Sequence, residues 1–181
     1  MSLYFITGNA GKFREVKALI PEIEQLEIHL PEIQSIDPHE VITAKLTEAR
    51  AHHQGEFIVE DTSVYLECFD WKLPGPLIKN FLQALGNDGL VELAERLGKL
   101  SARVECLIGY TDGTGEQFFL GTVEGSLVKS RGESNFGWDK IFIPTGSDKT
   151  FGEISQEAKN QISHRRKAVD QLKTFLDKKT S

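Results

Sequence analysis

ARVECLIGYTDGTGEQFFLGTVEGSLV, residues 102–128, decides the fold class. Two runs rich in β-branched, aromatic and aliphatic residues flank Asp112-Gly113-Thr114-Gly115. That turn chemistry between strand-like runs predicts two long antiparallel strands joined as a hairpin. A chain built only of βαβ units would not contain it. Working outward, residues 3–7 read as a strand and 13–20 as a helix with Pro21 at its end. Residues 26–30 read as a second strand. Asp37-Pro38 reads as an N-cap and first-turn proline, opening a helix with Ile42, Leu46 and Ala49 on one face. Residues 57–59 read as a short apolar strand ending at Glu60-Asp61, with 64–68 continuing the sheet. Residues 71–76, with Pro-Gly-Pro, read as a loop, followed by two amphipathic helices at 77–85 and 90–97 that stop at Gly98. Beyond the hairpin come a polar and aromatic loop at 130–139, a short apolar stretch at 141–143, and a final helix capped by Ser155 that reaches Leu176. The expectation is an α/β fold with a mixed sheet and helices on its faces. Residues 1–181 read as one compact unit with a cleft, without a linker or an internal repeat.

The formal net charge of −6 argues against general nucleic-acid binding, which needs clustered Lys and Arg to release counterions. Cys68 and Cys106 lie within hydrophobic runs and read as small buried hydrophobes. Neither a CxxC pair nor a Cys/His cluster suggests zinc. The apolar start lacks the features of a secretory signal, and no run approaches membrane-spanning length. The chain therefore reads as cytoplasmic, with no membrane and no nucleic-acid partner.

Four segments carry candidate chemistry. Thr7-Gly8-Asn9-Ala10-Gly11-Lys12 follows a strand and opens a helix, so its backbone N–H groups and the helix dipole suit an anion. The same residues also suit a tight turn with a solvated lysine. Glu32 and the pair Glu60-Asp61 stand at expected strand ends near that loop, where Mg²⁺ would find hard oxygen ligands; solvated loop acids are the plainer reading. Asn135-Phe136-Gly137-Trp138-Asp139 offers aromatic rings that either stack on a base or pin a loop to the core. In the last helix, Ala158, Ile162, Val169, Leu172 and Leu176 share a face by helical spacing, and Arg165 falls in its middle. A guanidinium there either meets a buried carboxylate or faces a ligand. Neither cysteine has a nearby His to suggest a covalent nucleophile.

Six segments in order bring a family into view: Thr7-Gly8-Asn9…Lys12, Leu30-Pro31-Glu32, Val59-Glu60-Asp61-Thr62, Leu73-Pro74-Gly75-Pro76, Phe136-Gly137-Trp138-Asp139 and Lys159-Asn160…Ser163-His164-Arg165. With these the chain resembles the inosine triphosphate pyrophosphatases, which act on non-canonical purine nucleoside triphosphates. The resemblance implies an elongated fold with a long twisted sheet, two lobes around a central active-site cleft, and a homodimer. It implies that Thr7, Gly8, Asn9, Ala10, Gly11 and Lys12 hold phosphates and that Glu32 and Asp61 bind Mg²⁺. Asp61, with Thr62 beside it, would also orient or deprotonate the attacking water. Lys45, Lys79 and Lys159 would stabilise the polyphosphate, with Lys12 and Lys45 close to the chemistry. Phe136 would stack on the base, Gly137, Trp138 and Asp139 would shape its slot, and His164 and Arg165 would touch the base edge. Lys140, Ala158 and Arg166 depart from the family pattern without removing a catalytic group. Two rival readings have features to weigh. Maf-like pyrophosphatases lack the Ser-His-Arg segment, and a nucleotide-binding module without turnover has no need of Glu32, Asp61 and Lys12 together.

Overall fold

The computed structural model describes residues 2–134 and 136–180. Asn135, the first residue of the aromatic motif, and the two chain ends lie outside the described residues. The elements run β1 (Tyr4–Ile6), α1 (Ala10–Leu19), β2 (Glu24–Leu26), α2 (Pro38–His52), β3 (Phe57–Leu66), β4 (Pro74–Gly75), α3 (Ile78–Arg96), β5 (Ser101–Thr111), β6 (Glu116–Leu127), β7 (Phe142–Pro144), α4 (Gln156–Ile162) and α5 (His164–Thr180). One seven-stranded sheet has the order β2-β1-β3-β5-β6-β7, with β4 paired to β3. β1 pairs in parallel with β2 and β3, whereas the pairs β3–β5, β5–β6 and β6–β7 are antiparallel, so the sheet is mixed as expected.

The hairpin sits where its turn chemistry puts it. Asp112 accepts from the Thr114 N–H and hydroxyl, and Thr111 Oγ1 accepts from the Gly113 N–H. Asp37 caps α2 through the His39 N–H, with Pro38 in the first turn, and Ile42, Leu46 and Ala49 are fully buried.

Three readings of the chain are corrected. β3 does not stop at Val59. It runs ten residues through Glu60 and Asp61, because Lys12, Lys45 and Arg165 neutralise the acids that read as a polar end. The second strand lies at 24–26 rather than 26–30. The two helices read at 77–85 and 90–97 are present as the halves of α3, separated at Gly86 (φ 69°, ψ 178°). The final helix is also broken: Ser163 is extended (φ −69°, ψ 158°) and separates α4 from α5. Ala158 and Ile162 consequently leave the apolar seam and are exposed, while Val169 and Leu172 keep it.

The core forms three clusters, and their placement positions the site. Phe57 and Val59 join Ile42, Leu46 and Ala49 on one face of the sheet. On the other face Ile58, Cys106, Ile108 and Tyr110 meet Val16, Ala168 and Leu172. At the far end of the same strands Val64, Leu66, Ala102 and Val104 meet Leu90, Val91, Trp138, Phe142 and Phe151. Between these ends β3 carries Glu60, Asp61, Thr62 and Ser63. Two apolar ends are thus separated by a polar stripe across the middle of the sheet.

Candidate active site

Burying charge is costly unless each charge is paired, and the stripe is densely paired. Glu15, Lys45, Glu60, Asp61, Asp139, Lys159 and Arg165 are all buried. Glu60 is the hub. Its carboxylate accepts from Arg165 Nε at 2.7 Å and from Thr62 Oγ1 at 2.7 Å, and it pairs with Lys12 Nζ at 2.9 Å. Arg165, with no solvent exposure, also donates to Glu15 and to Thr62 Oγ1. Glu15 pairs in turn with Lys159 Nζ at 3.1 Å, and Lys159 donates to Asp139 at 2.7 Å. Burial pushes the Glu60 and Glu15 carboxyls up. Arg165 and Lys12 at Glu60, and Arg165 and Lys159 at Glu15, together outweigh it and hold both below the usual carboxylate range.

Asp61 differs. It points to the opposite face of β3, where Lys45 Nζ donates to its Oδ1 at 2.9 Å and to the Glu60 carbonyl at 3.2 Å. Its Oδ2 is buried without a hydrogen-bond partner. Burial pushes its carboxyl above the ordinary value, and Lys45 and Lys12 offset only part of that. Asp61 lines a cleft of about 190 Å³ together with Glu32, Lys79, Asn80 and Gln83. Glu32 stands at the rim, 3.9 Å from both Lys45 Nζ and Lys79 Nζ. A larger depression of about 680 Å³ follows the outer side of α2 past Pro31, His39, Thr43 and Thr47, and none of the paired lysines lines it.

At the entrance Asn9 caps α1, its Oδ1 accepting from the Lys12 N–H at 2.9 Å. The first-turn N–H groups of Ala10 and Gly11 have no intrahelical partner, as at any helix start, and with Thr7 and Gly8 they border the cluster through Lys12. The Phe136 ring packs on Gly11 so closely that a Cβ there would lie 2.8 Å from it. Lys159 Nζ lies 4.7 Å from the centre of the same ring. The phosphate-loop candidate and the base-stacking candidate therefore meet.

The structure thus brings together Lys12, Glu32, Lys45, Asp61, Thr62, Lys79, Phe136, Asp139 and Lys159 with Thr7 to Gly11. Lys159 sits with Phe136 and Asp139 rather than with Lys45 and Lys79. Arg165 takes the buried-carboxylate reading. Trp138 and His164 are core residues, with ring centres 5.4 Å apart. Both His164 ring nitrogens lack a hydrogen-bond partner. Gly137 has a left-handed backbone (φ 51°) and its carbonyl accepts from Asn87. Sequence reasoning missed Glu15 and read Glu60 with Asp61 as an acid for Mg²⁺, whereas the structure makes it the hub of the buried ion pairs. The signal for Glu15 was its spacing: with Lys12, Val16 and Leu19 it follows the i, i+3, i+4, i+7 pattern of one helix face.

Among the described residues no group of three or more His, Cys, Asp or Glu is placed to hold a metal by itself. Magnesium is usually held by one or two carboxylates plus substrate phosphates and water. Asp61, with an unpartnered oxygen, and the open carboxylate of Glu32 in the same cleft fit that demand.

A family model described as the Ham1 family matches residues 3–175. The chain is 41% identical over 189 residues to an inosine triphosphate pyrophosphatase of Scheffersomyces stipitis, covering 95% of this chain and 96% of that one. It is 40% identical over 185 residues to the enzyme of the same name from Yarrowia lipolytica, covering 99% and 97%. Among solved structures, the Staphylococcus aureus Ham1 protein superposes with a TM-score of 0.78 at 26% identity, covering 98% of both chains. A Coxiella burnetii HAM1 protein gives 0.80 at 22% identity, covering 97% and 98%, a likeness of fold. Among the described residues no helix is long and apolar enough to cross a membrane.

Proposed function

The chain belongs to the Ham1 family, and from that premise we propose that it hydrolyses ITP, dITP and XTP to the nucleoside monophosphate and pyrophosphate. The role that fits is removal of deaminated purines from the nucleotide pool, by a cytoplasmic homodimer dependent on Mg²⁺. One observation carries the reading: Asp61, whose Oδ2 is buried without a hydrogen-bond partner, lines a cleft with Glu32 and Lys79, and Lys45 pairs with both acids.

Charge supports the metal requirement. Glu15, Glu60, Asp61 and Asp139 face Lys12, Lys45, Lys159 and Arg165, four against four, so the buried network is already neutral. A polyphosphate adds negative charge that this balanced network does not offset by itself, and Lys79 beside it already has Glu32 at 3.9 Å. Glu32 and Asp61 would hold the ion, which neutralises phosphate oxygens and the departing pyrophosphate. The chain's own residues do the rest. The N–H groups at Ala10 and Gly11 and the Lys12 ammonium bind phosphate oxygens. Lys45 holds Asp61 in place, and Lys79 meets the outer phosphates. Asp61 orients the attacking water and draws off its proton. Cleavage between the α- and β-phosphates needs little covalent chemistry, so positioning and electrostatics carry the rate.

Phe136 stacks on the base, with the Lys159 ammonium, paired to Glu15 and Asp139, 4.7 Å from its ring centre. Hypoxanthine and xanthine carry an acceptor oxygen at C6, where adenine carries a donor amino group. A donor-lined slot leaves its donors unpaired against adenine, which costs about 1–3 kcal/mol per buried group. A panel of ITP, dITP, XTP, ATP, GTP and modified pyrimidine triphosphates tests the reading. Preference for the first three supports it, and preference for the pyrimidines points to Maf-like chemistry instead.

A further inference from the structure

We propose that Asn87 and Asp88, the two residues after the break in α3, form a clamp that positions the Phe136 ring, and that Asn87 is a positioning residue for base recognition. The inference rests on the base-stacking role given to Phe136 above. Asn87 Nδ2 donates to the Gly137 carbonyl at 3.1 Å, and Asp88 Oδ1 accepts from the Ser130 N–H at 3.3 Å. The segment between Ser130 and Gly137 is thereby held at both ends by neighbouring side chains.

The geometry of the loop says why the first bond matters. Phe136 opens a tight turn closed by its carbonyl and the Asp139 N–H at 3.1 Å. Gly137 (φ 51°) and Trp138 (φ −99°, ψ 9°) are its central residues, the pattern of a type II′ turn. The carbonyl that Asn87 grips belongs to the central peptide of that turn. Inside the loop, the Phe136 N–H donates to Ser134 Oγ at 3.1 Å, and that hydroxyl reaches Asp139 Oδ2 at 3.2 Å. Trp138 is fastened in the core. Asn87 supplies the link from the turn to a separate rigid element.

That element reaches the other end of the substrate. The first half of α3 carries Lys79, Asn80 and Gln83 on the phosphate-side cleft, and the second half packs Leu90, Val91 and Ala94 into the core beside Trp138. Gly86 has a φ/ψ pair that side-chain-bearing residues rarely adopt, and this turns Asn87 and Asp88 towards the loop. A Cβ on Gly86 would meet nothing within 4 Å, so the requirement there is purely one of backbone conformation. One helix thus spaces the base slot from the phosphate cleft.

The test compares the full-length wild type with Asn87→Leu, which keeps the size and loses the donor, and Asn87→Gln, which keeps an amide. Hydrogen exchange of the ligand-free proteins is read over residues 130–139, and kinetics are read with ITP and ATP. Asn87→Leu is expected to speed exchange in that segment and raise KM for ITP about three- to tenfold, with kcat within twofold and an unchanged melting temperature. Asn87→Gln is expected to recover at least half of the KM effect. Unchanged exchange with unchanged KM overturns the proposal. So does faster exchange spread through α3 with a lowered melting temperature, which makes Asn87 a structural residue only. If the wild type turns over no ITP, the proposed function fails by itself, and the exchange measurement still decides whether Asn87 holds the loop.

Discussion

Arg165 holds two carboxylates, Glu15 and Glu60, that face each other across the active-site stripe. Arg165→Ala leaves both buried without their main partner, which should cost about 3–5 kcal/mol of stability. ITP and ATP turnover should fall together, because the residue organises the site instead of reading the base. Melting curves and kcat/KM for both nucleotides check this; loss confined to ITP would return Arg165 to the base edge. Asp61→Asn removes the charge and keeps the shape, so kcat should drop about 10²–10⁴-fold with the melting temperature preserved. His164 makes a different prediction. Burial holds its imidazole neutral, well below the ordinary 6.5, helped by nearby Arg165 and Lys159. Below that pH the unfolded chain takes up a proton that the folded chain does not, so stability falls as pH drops through 6.5. The loss continues down to the lowered folded value. Glu15 and Glu60 are lowered carboxyls, so their contribution disappears only in more acidic solution. Denaturant melts from pH 7 to 5 should slope for the wild type and be flatter for His164→Phe; equal slopes would contradict the buried neutral imidazole.

Elements carry the clearest record of what was readable. α5 lies directly on β6 at Gly121, where a Cβ would stand 2.0 Å from the His164 carbonyl oxygen and 2.5 Å from the Ala168 nitrogen. These are backbone atoms that cannot rotate away. Gly121→Ala should therefore destabilise the fold by about 2–3 kcal/mol and displace the helix start that carries Arg165; a chemical melt within 0.5 kcal/mol of wild type would show that α5 can shift freely. The β5–β6 hairpin was legible because its turn is made by local side chains, Thr111 and Asp112, acting within a few residues. The α2 start was legible for the same reason. β3 was truncated in the reading because Glu60 and Asp61 look like a strand's polar end until Lys12, Lys45 and Arg165, distant in sequence, neutralise them. The break at Ser163 was hidden by Ala158 and Ile162, which happen to keep helical spacing with the seam. Of the site, the loop from Thr7 to Lys12, the acids and Phe136 were visible as motifs. Glu15 was not, because its importance comes from what packs against it. Lys159 was seen as a phosphate ligand, and its place beside Phe136 depends on the partners Asp139 and Glu15.

At the scale of the molecule, two apolar ends of one sheet are joined through a stripe of balanced buried charge. The stripe is expensive to bury, and it lies where the candidate phosphate loop, the acidic cleft and the aromatic loop converge, which is where a functional site is expected. Because its charges already cancel, a polyphosphate is expected to need an added cation in order to bind and react. The most direct measurement follows the products of ITP incubated with the purified protein and Mg²⁺, with and without excess chelator, and after adding back Mg²⁺ or Ca²⁺. The account predicts IMP and pyrophosphate in equal amounts, loss of the reaction in chelator, full recovery with Mg²⁺ and poorer recovery with Ca²⁺, whose longer and looser coordination misplaces the phosphates. IDP and inorganic phosphate as products, or full activity in excess chelator, would contradict it.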